Sequence, residues 1–327
     1  MEIPVSGRAI QPICAFDIGK DGKPIPINSA WPSAEAGSDV AYRWLHFDTA
    51  EDVLGVWTEE FLPPSAHTAL RQAETRPRCT HVEEGLILNL RGVNLNPGEE
   101  ADDMVSLRLW VTKGLVVSAR IRKVWALDEI RQKMERGEAP KSIDLFLAEL
   151  TFGLTQRIER IAVKLEEEAD AIEEDALARP KDVSEILAQC RQSVIKLRRF
   201  IRPQKEALVA LADNQAWPLE PRAAAMLSET ANKTTRTVEA LDATHDRLLA
   251  TQDHLDILHA SALGRNSYVL SVVAAIFLPL GFLTGLFGIN VGGMPGVESP
   301  MGFWIVTGGS AVIGIALFAI FRFAKWL

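Results

Sequence analysis

Charge is what the C-terminal part of this sequence lacks. Beyond Arg265 only Glu298, Arg322 and Lys325 are charged, a formal +1, although the 327-residue chain is 24% charged and carries −8. The first 265 residues must therefore hold −9. An acidic soluble part argues against nucleic acid as a partner, since phosphate neutralisation needs clustered Lys/Arg, and it is compatible with attracting cations. Cysteine is scarce and odd in number (Cys14, Cys79, Cys190), so no disulfide framework is expected and a reducing compartment fits. Cys79 stands two residues before His81, but two ligands do not make a metal site. The chain also lacks a Gly-rich phosphate cradle, a Ser/His/Asp elbow and zinc-finger spacing, which argues against an enzyme and against direct coupling to ATP. The opening MEIPVSGRAIQP has neither a basic n-region nor an apolar h-region, so the soluble part is expected to stay in the cytosol.

What the C-terminal part does have is length without charge. Asn266 to Val297 carries no charged residue, and its core, residues 268–288, has the length needed to cross a hydrocarbon layer about 30 Å thick. Ser299 to Phe321 is uncharged as well. We expect two transmembrane helices, at about 266–288 and 300–322, joined by a Gly/Pro-rich outer loop over 289–299. Arg265, Arg322 and Lys325 flank the outer ends of this hairpin and the loop carries only Glu298, so the positive-inside rule puts both termini in the cytoplasm. That is a multi-pass protein of the inner (plasma) membrane, with lipid as a partner.

One hairpin cannot enclose an aqueous path, so transport would require several copies around an axis. At helical spacing, Ser267, Ser271, Ala274, Leu278, Gly281, Gly285 and Gly288 fall near one face of the first span. Val269, Val273, Ile276, Leu280, Leu283 and Phe287 fall near the other. The small, mildly polar face reads either as a pore lining, with Leu278 as a hydrophobic constriction, or as close packing through small residues. Pro279 is expected to free the carbonyl of Ala275 and bend the helix.

Ahead of the spans, Ser142 reads as the N-cap of a long helix, and a second helix begins near Asp182. Pro203 predicts a kink or break in that second helix. A third starts near Glu220, meets no breaker before Gly264 and flows into the first span. Some 65 residues of helix would reach nearly ~100 Å, a stalk. On it, Asp253 and Asp256 read either as an axial pair that collects cations or as part of a solvated helix face. The acidic run from Glu166 to Asp175 reads as a solvated face. The first 141 residues form an α/β domain, with strands at 41–48, 86–93, 106–112 and 115–121 and helices in EDVLGVWTEEF and LDEIRQKMERG. Residues 142–265 follow as a helical region and 266–327 as the membrane hairpin. Asn94 and Asn96, beside Pro97-Gly98, fit a turn.

The end of the first span reads GLFGINVGGMPG, Gly285 to Gly296. It resembles the signature of the CorA family of metal-ion transporters, in which Gly-Met-Asn closes the pore helix. Here the tripeptide is Gly288-Ile289-Asn290, a variant seen in the zinc-transporting ZntB branch. The upstream IFLP, the closing KWL and the soluble stretch from Glu74 to Gly98 also look like that branch. The resemblance implies a funnel-shaped homopentamer, a pore lined by the first span, and a ring of Asn290 amides that meets the hydrated ion at the entrance. Gly288 and Ile289 would set and brace the turn. It also places Asp253 at the position of an acidic residue in a regulatory metal site. One departure is that Gly296 follows Pro295 where magnesium-transporting relatives carry an acid, leaving Glu298 as the only acidic candidate at the outer mouth. The expected function is Zn2+ transport, with proton coupling a further expectation from the resemblance and with no bound cofactor. A Mg2+/Co2+ channel of the same family, or a non-conducting metal sensor or scaffold, are the alternatives.

Overall fold

A computed structural model describes residues 12–29, 32–49, 53–72, 75–82, 85–178, 180, 183–288, 296 and 298–324. They form two compact units, Met1–Thr251 and Gln252–Leu327.

The first unit is built on a seven-stranded sheet of β1 (Cys14–Gly19), β2 (Pro24–Pro26), β3 (Val40–Asp48), β4 (Arg78–Val82), β5 (Gly85–Gly92), β6 (Val105–Val111) and β7 (Leu115–Arg120). Strand order is β2-β1-β3-β7-β6-β5-β4. Only the central β3–β7 pair is parallel; the chain between those strands contains α1 (Val53–Phe61), α2 (Pro64–Arg71) and the antiparallel run β4–β6. The four anticipated strands are all present.

Alternation along the strands sends side chains to two cores. Tyr42, Trp44, Leu86, Leu88, Leu107 and Leu109 pack on one face with Phe146 and Leu150. Leu45, Phe47, Ile87, Trp110 and Val117 pack on the other with Trp57 of α1 and Leu70 of α2. Burial on both faces is why β5 reads as the nearly continuous apolar run GLILNL. Gly85 has no room for more: a Cβ there would lie 2.5 Å from the Trp110 ring and 2.9 Å from the Val111 carbonyl oxygen.

The helices that cover the first face are α3 (Trp125–Glu135), α4 (Ile143–Ala178), α5 (Ser184–Ala212) and the start of α6 (Pro221–Gly288). Ser142 caps α4 as anticipated, its hydroxyl accepting the Leu145 N–H at 3.2 Å. Pro221 supplies the fixed φ suited to a first helical residue. The start of α6 is held by the first turn of α4: the Asp144 carboxylate accepts from the Trp217 indole at 3.0 Å and the Glu220 N–H at 2.8 Å. Pro203 does not break α5, which runs through it. A proline removes one ladder bond, and Leu197, Ile201, Ala207 and Leu208 on either side are buried and hold the turns together.

The division between compact units falls at Thr251/Gln252. The α/β layer and the helices after residue 141 share one core, in which Phe16, Trp44 and Leu88 join Phe146, Leu208 and Leu227. The second unit holds the remainder of α6 and α7 (Gly302–Phe323).

Candidate functional site

Helix α6 is a single element of 68 residues whose composition changes along its length. Up to Thr251 it is anchored on α4 and α5. Leu227, Thr230, Thr234, Thr237, Leu241, Thr244, Leu248 and Thr251 are buried at alternating spacings of three and four. Each of the five threonine hydroxyls donates to a carbonyl four residues back in α6, at 2.7–3.0 Å. Thr234 also meets Thr155 of α4 at 3.1 Å. Around this seam Lys233 pairs with Glu159 at 2.6 Å, and Asp242 takes Arg198 and Arg202 at 2.7 and 2.8 Å. Arg247 reaches Asp170 at 2.5 Å and Glu173 at 2.6 Å. The acidic run of α4 is thus not only a solvated face, since two of its carboxylates fasten α6.

Past Thr251 the helix carries Asp253 and Asp256, both exposed. Asp256 accepts from Gln252 at 3.1 Å, an i,i+4 contact on the same helix. His245 lies 3.3 Å from Asp246. Among the described residues no three His, Cys, Asp or Glu side chains converge as a metal site within this single chain. Cys79 and His81 lie on β4, where burial raises the Cys79 thiol to about 11, so it is a protonated thiol at neutral pH. Asn94 belongs to a turn, as its spacing suggests: its side-chain oxygen accepts from the Asn96 amide at 2.6 Å, and Gly98 follows at φ +80°.

The apolar portions of α6 and α7 are both long enough to cross a membrane, with mean hydropathy 2.3 and 2.1. In the single chain Ser267, Ser271, Leu278, Gly281, Gly285 and Gly288 are exposed, and Ala274 is half-buried. Leu278 is 71% exposed. Ser271 satisfies its hydroxyl within the helix, donating to the Ser267 carbonyl at 2.9 Å. Gly281 also borders α7, beside Phe277, Leu280 and Thr284 and opposite Ser310, Ala311, Gly314 and Ile315. Leu280 closes that contact, 3.5 Å from the position a Gly314 Cβ would take. The small residues near Gly281 therefore serve helix packing along one border, while Ser267, Ser271 and Leu278 line none of that groove. Pro279 sits inside α6 without ending it. Glu298 is exposed in the short connection, where Gly296 has φ +88°. Ile289, Asn290, the stretch to Pro295 and the closing Lys325–Leu327 lie outside the described residues.

The described residues thus comprise a mixed-sheet domain, a long helix whose C-terminal portion is apolar, and a second apolar helix, with both apolar stretches long enough to cross a membrane. Residues 39–323 match the CorA-like Mg2+ transporter protein family, and the chain belongs to that family. It is 33% identical over 263 residues to the zinc transport protein ZntB of Pectobacterium atrosepticum, covering 80% of each chain. It is 34% identical over 292 residues to the divalent cation transporter CmaX of Pseudomonas aeruginosa, covering 87% of each. The solved full-length CmaX structure aligns with a TM-score of 0.80 at 30% identity, over 97% of this chain and 99% of that one.

Proposed function

We infer that this chain is a subunit of a homopentameric transporter that moves divalent cations, Zn2+ foremost, along an axial pore lined by the membrane portion of α6. The single observation that carries the reading is the match to the family over residues 39–323. The likeness to a zinc transport protein over 80% of both chains inclines the cargo toward Zn2+. Self-association is required on physical grounds, because two helices cannot surround a water-filled path. In the assembly Ser267, Ser271, Ala274, Leu278, Gly281 and Gly285 face the axis, with Leu278 as the apolar constriction. The Gly288-Ile289-Asn290 tripeptide forms the ion entrance, where five amide side chains hydrogen-bond the water shell of a cation without stripping it. Asp253 and Asp256 concentrate or sense cations on the cytoplasmic side, and Glu298 does so at the outer mouth. Both termini lie in the cytoplasm and the loop outside, in the inner membrane.

No His, Cys or carboxylate is among the pore positions, so selection acts on the hydrated ion and not by zinc ligation. The span also holds no ionisable relay, so any proton coupling runs through groups outside it. A second reading, a broader divalent-cation channel carrying Mg2+ or Co2+, is favoured by the equal likeness to CmaX. The deciding experiment is flux of Zn2+ and of Mg2+ into dye-loaded proteoliposomes, with and without an inward proton gradient. Zn2+ flux that rises with the gradient and falls on Asn290→Ala supports the proposal. Flux of both ions indifferent to the gradient favours the channel. Unchanged flux in Asn290→Ala removes the entrance role, and no flux at all leaves a sensor or scaffold.

A further inference from the structure

Ser271 and Thr284, both in the membrane portion of α6, return their hydroxyl protons to their own helix. Ser271 donates to the Ser267 carbonyl at 2.9 Å, and Thr284 to the Leu280 carbonyl at 2.9 Å and the Gly281 carbonyl at 3.2 Å. Such a bond uses the one proton of the hydroxyl and leaves its oxygen only lone pairs to offer a neighbour. The two differ in what lies in front of them. Thr284 borders the groove against α7, beside Leu280 and opposite Ser310 and Gly314. Ser271 is exposed in the single chain, lines none of that groove, and shares a helix face with Ser267 and Leu278. Among the side chains that face the axis of the proposed pore, those of Ser267 and Ser271 alone are polar. Between Ser271 and the entrance tripeptide that face offers an ion only Ala274, Leu278 and glycine. Ser271 stands two helical turns, about 10 Å, before Leu278.

We propose that the Ser271 hydroxyls, one from each copy, form an inner ring that binds the hydrated divalent cation on the cytoplasmic side of Leu278. The inference rests on the axial reading of α6 and adds to it a second place where the cargo is held. Water bound to a cation keeps its oxygen toward the metal and its hydrogens outward, so a ring around that shell must accept hydrogen bonds. A serine with a free proton could turn it toward whatever passes. Ser271, with its proton held by the Ser267 carbonyl, presents acceptors alone. The same orientation disfavours an anion, whose water shell turns its oxygens outward. In lipid that oxygen would face no donor at all. The ring takes the shell whole and does not select by ligating the metal, so it serves Zn2+ and Mg2+ alike.

The test is flux of Zn2+ and of Mg2+ into dye-loaded proteoliposomes for full-length Ser271→Thr, Ser271→Val and Thr284→Val. Threonine keeps the oxygen and its bond to the carbonyl four residues back, and valine has the shape of threonine without the oxygen. At subsaturating ion, Ser271→Val is expected to carry about tenfold less than Ser271→Thr of whichever cation the parent moves. Thr284→Val removes an equivalent bond away from the axis and should match the parent. Equal flux in Ser271→Thr and Ser271→Val would overturn the proposal. So would a loss in Thr284→Val as large as that in Ser271→Val, because the effect would then come from the helix and not from the ring. Asn290→Ala separates the ring from the pore itself. If it lowers flux while Ser271→Val equals Ser271→Thr, the pore stands and the ring falls; a parent that carries neither ion removes both. Should Ser271→Val fail to assemble in detergent, Ser271→Ala is compared with Ser271→Thr and read in the same way.

Discussion

The two portions of α6 are one helix by backbone and two different materials by side chain. From Pro221 to Thr251 a buried Leu/Thr seam and ion pairs to α4 and α5 tie it to its surroundings. From Asn266 to Gly288 there is no charge, most positions are exposed in the single chain, and Val272 is the one buried residue. In the first portion water drives burial, and charge finishes the surface. In the second the solvent is hydrocarbon, so exposure of Phe282 costs nothing and a charge costs a great deal. The same substitution should therefore have opposite consequences in the two portions.

The largest contrast is expected for truncation. Leu248→Ala removes a side chain that is 1% exposed and should cost about 2–5 kcal/mol in denaturant unfolding of the cytoplasmic unit. Leu278→Ala should leave that transition in place; equal losses at the two sites would erase the distinction. Next is charge insertion. Val273→Lys adds about 2.5–3.5 kcal/mol to membrane insertion and should deplete the protein from the membrane fraction. Lysine at exposed Glu239 should leave the membrane yield unchanged.

A third effect belongs to the cytoplasmic unit alone. His46 is buried, its Nδ1 lies 2.9 Å from the Ser118 hydroxyl, and its Nε2 accepts from Arg120 at 3.1 Å. Burial first, and the Arg120 charge second, push its pKa down to about 3. The unfolded imidazole takes up a proton near pH ~6.5, so the folded state loses stability as pH falls from there toward 3, by at most about 1.4 kcal/mol per pH unit. His46→Gln should flatten that slope in unfolding curves between pH 6 and 4; an unchanged slope would assign it to carboxylates instead. The smallest effect is expected at Arg247→Ala. Its partners are about half exposed, so the loss should stay below about 1 kcal/mol and shrink further in high salt.

How much of this was legible in the sequence depended on whether an element's pattern is local. The four strands buried on at least one face announced themselves by alternation. β2 and β4, the two edges of the sheet, did not: β2 is three residues between prolines, and β4 is mostly exposed along RCTHV. β1, inside the sheet, escaped because CAFDIG is short and interrupted by an aspartate. α2 had a readable start, since Pro64 stands at its first turn, but only eight residues of helix follow. The membrane face of α6 could be drawn from spacing, although not that Gly281 would also border α7. Asp144 as the holder of α6 and the Arg247 pairs join residues scores of positions apart. No local pattern encodes them.

The threonine seam has a mechanical consequence. A zipper of cross-helix hydrogen bonds has a register, and moving one helix past the other means breaking every tooth. Here the hydroxyls at Thr230, Thr237, Thr244 and Thr251 are satisfied by carbonyls of their own helix. They travel with α6, and of the five seam hydroxyls only Thr234 also touches its neighbour. What remains between the helices is shape, the Thr155–Thr234 contact and a few ion pairs, so along the seam α6 is positioned by fit more than by a hydrogen-bonded register.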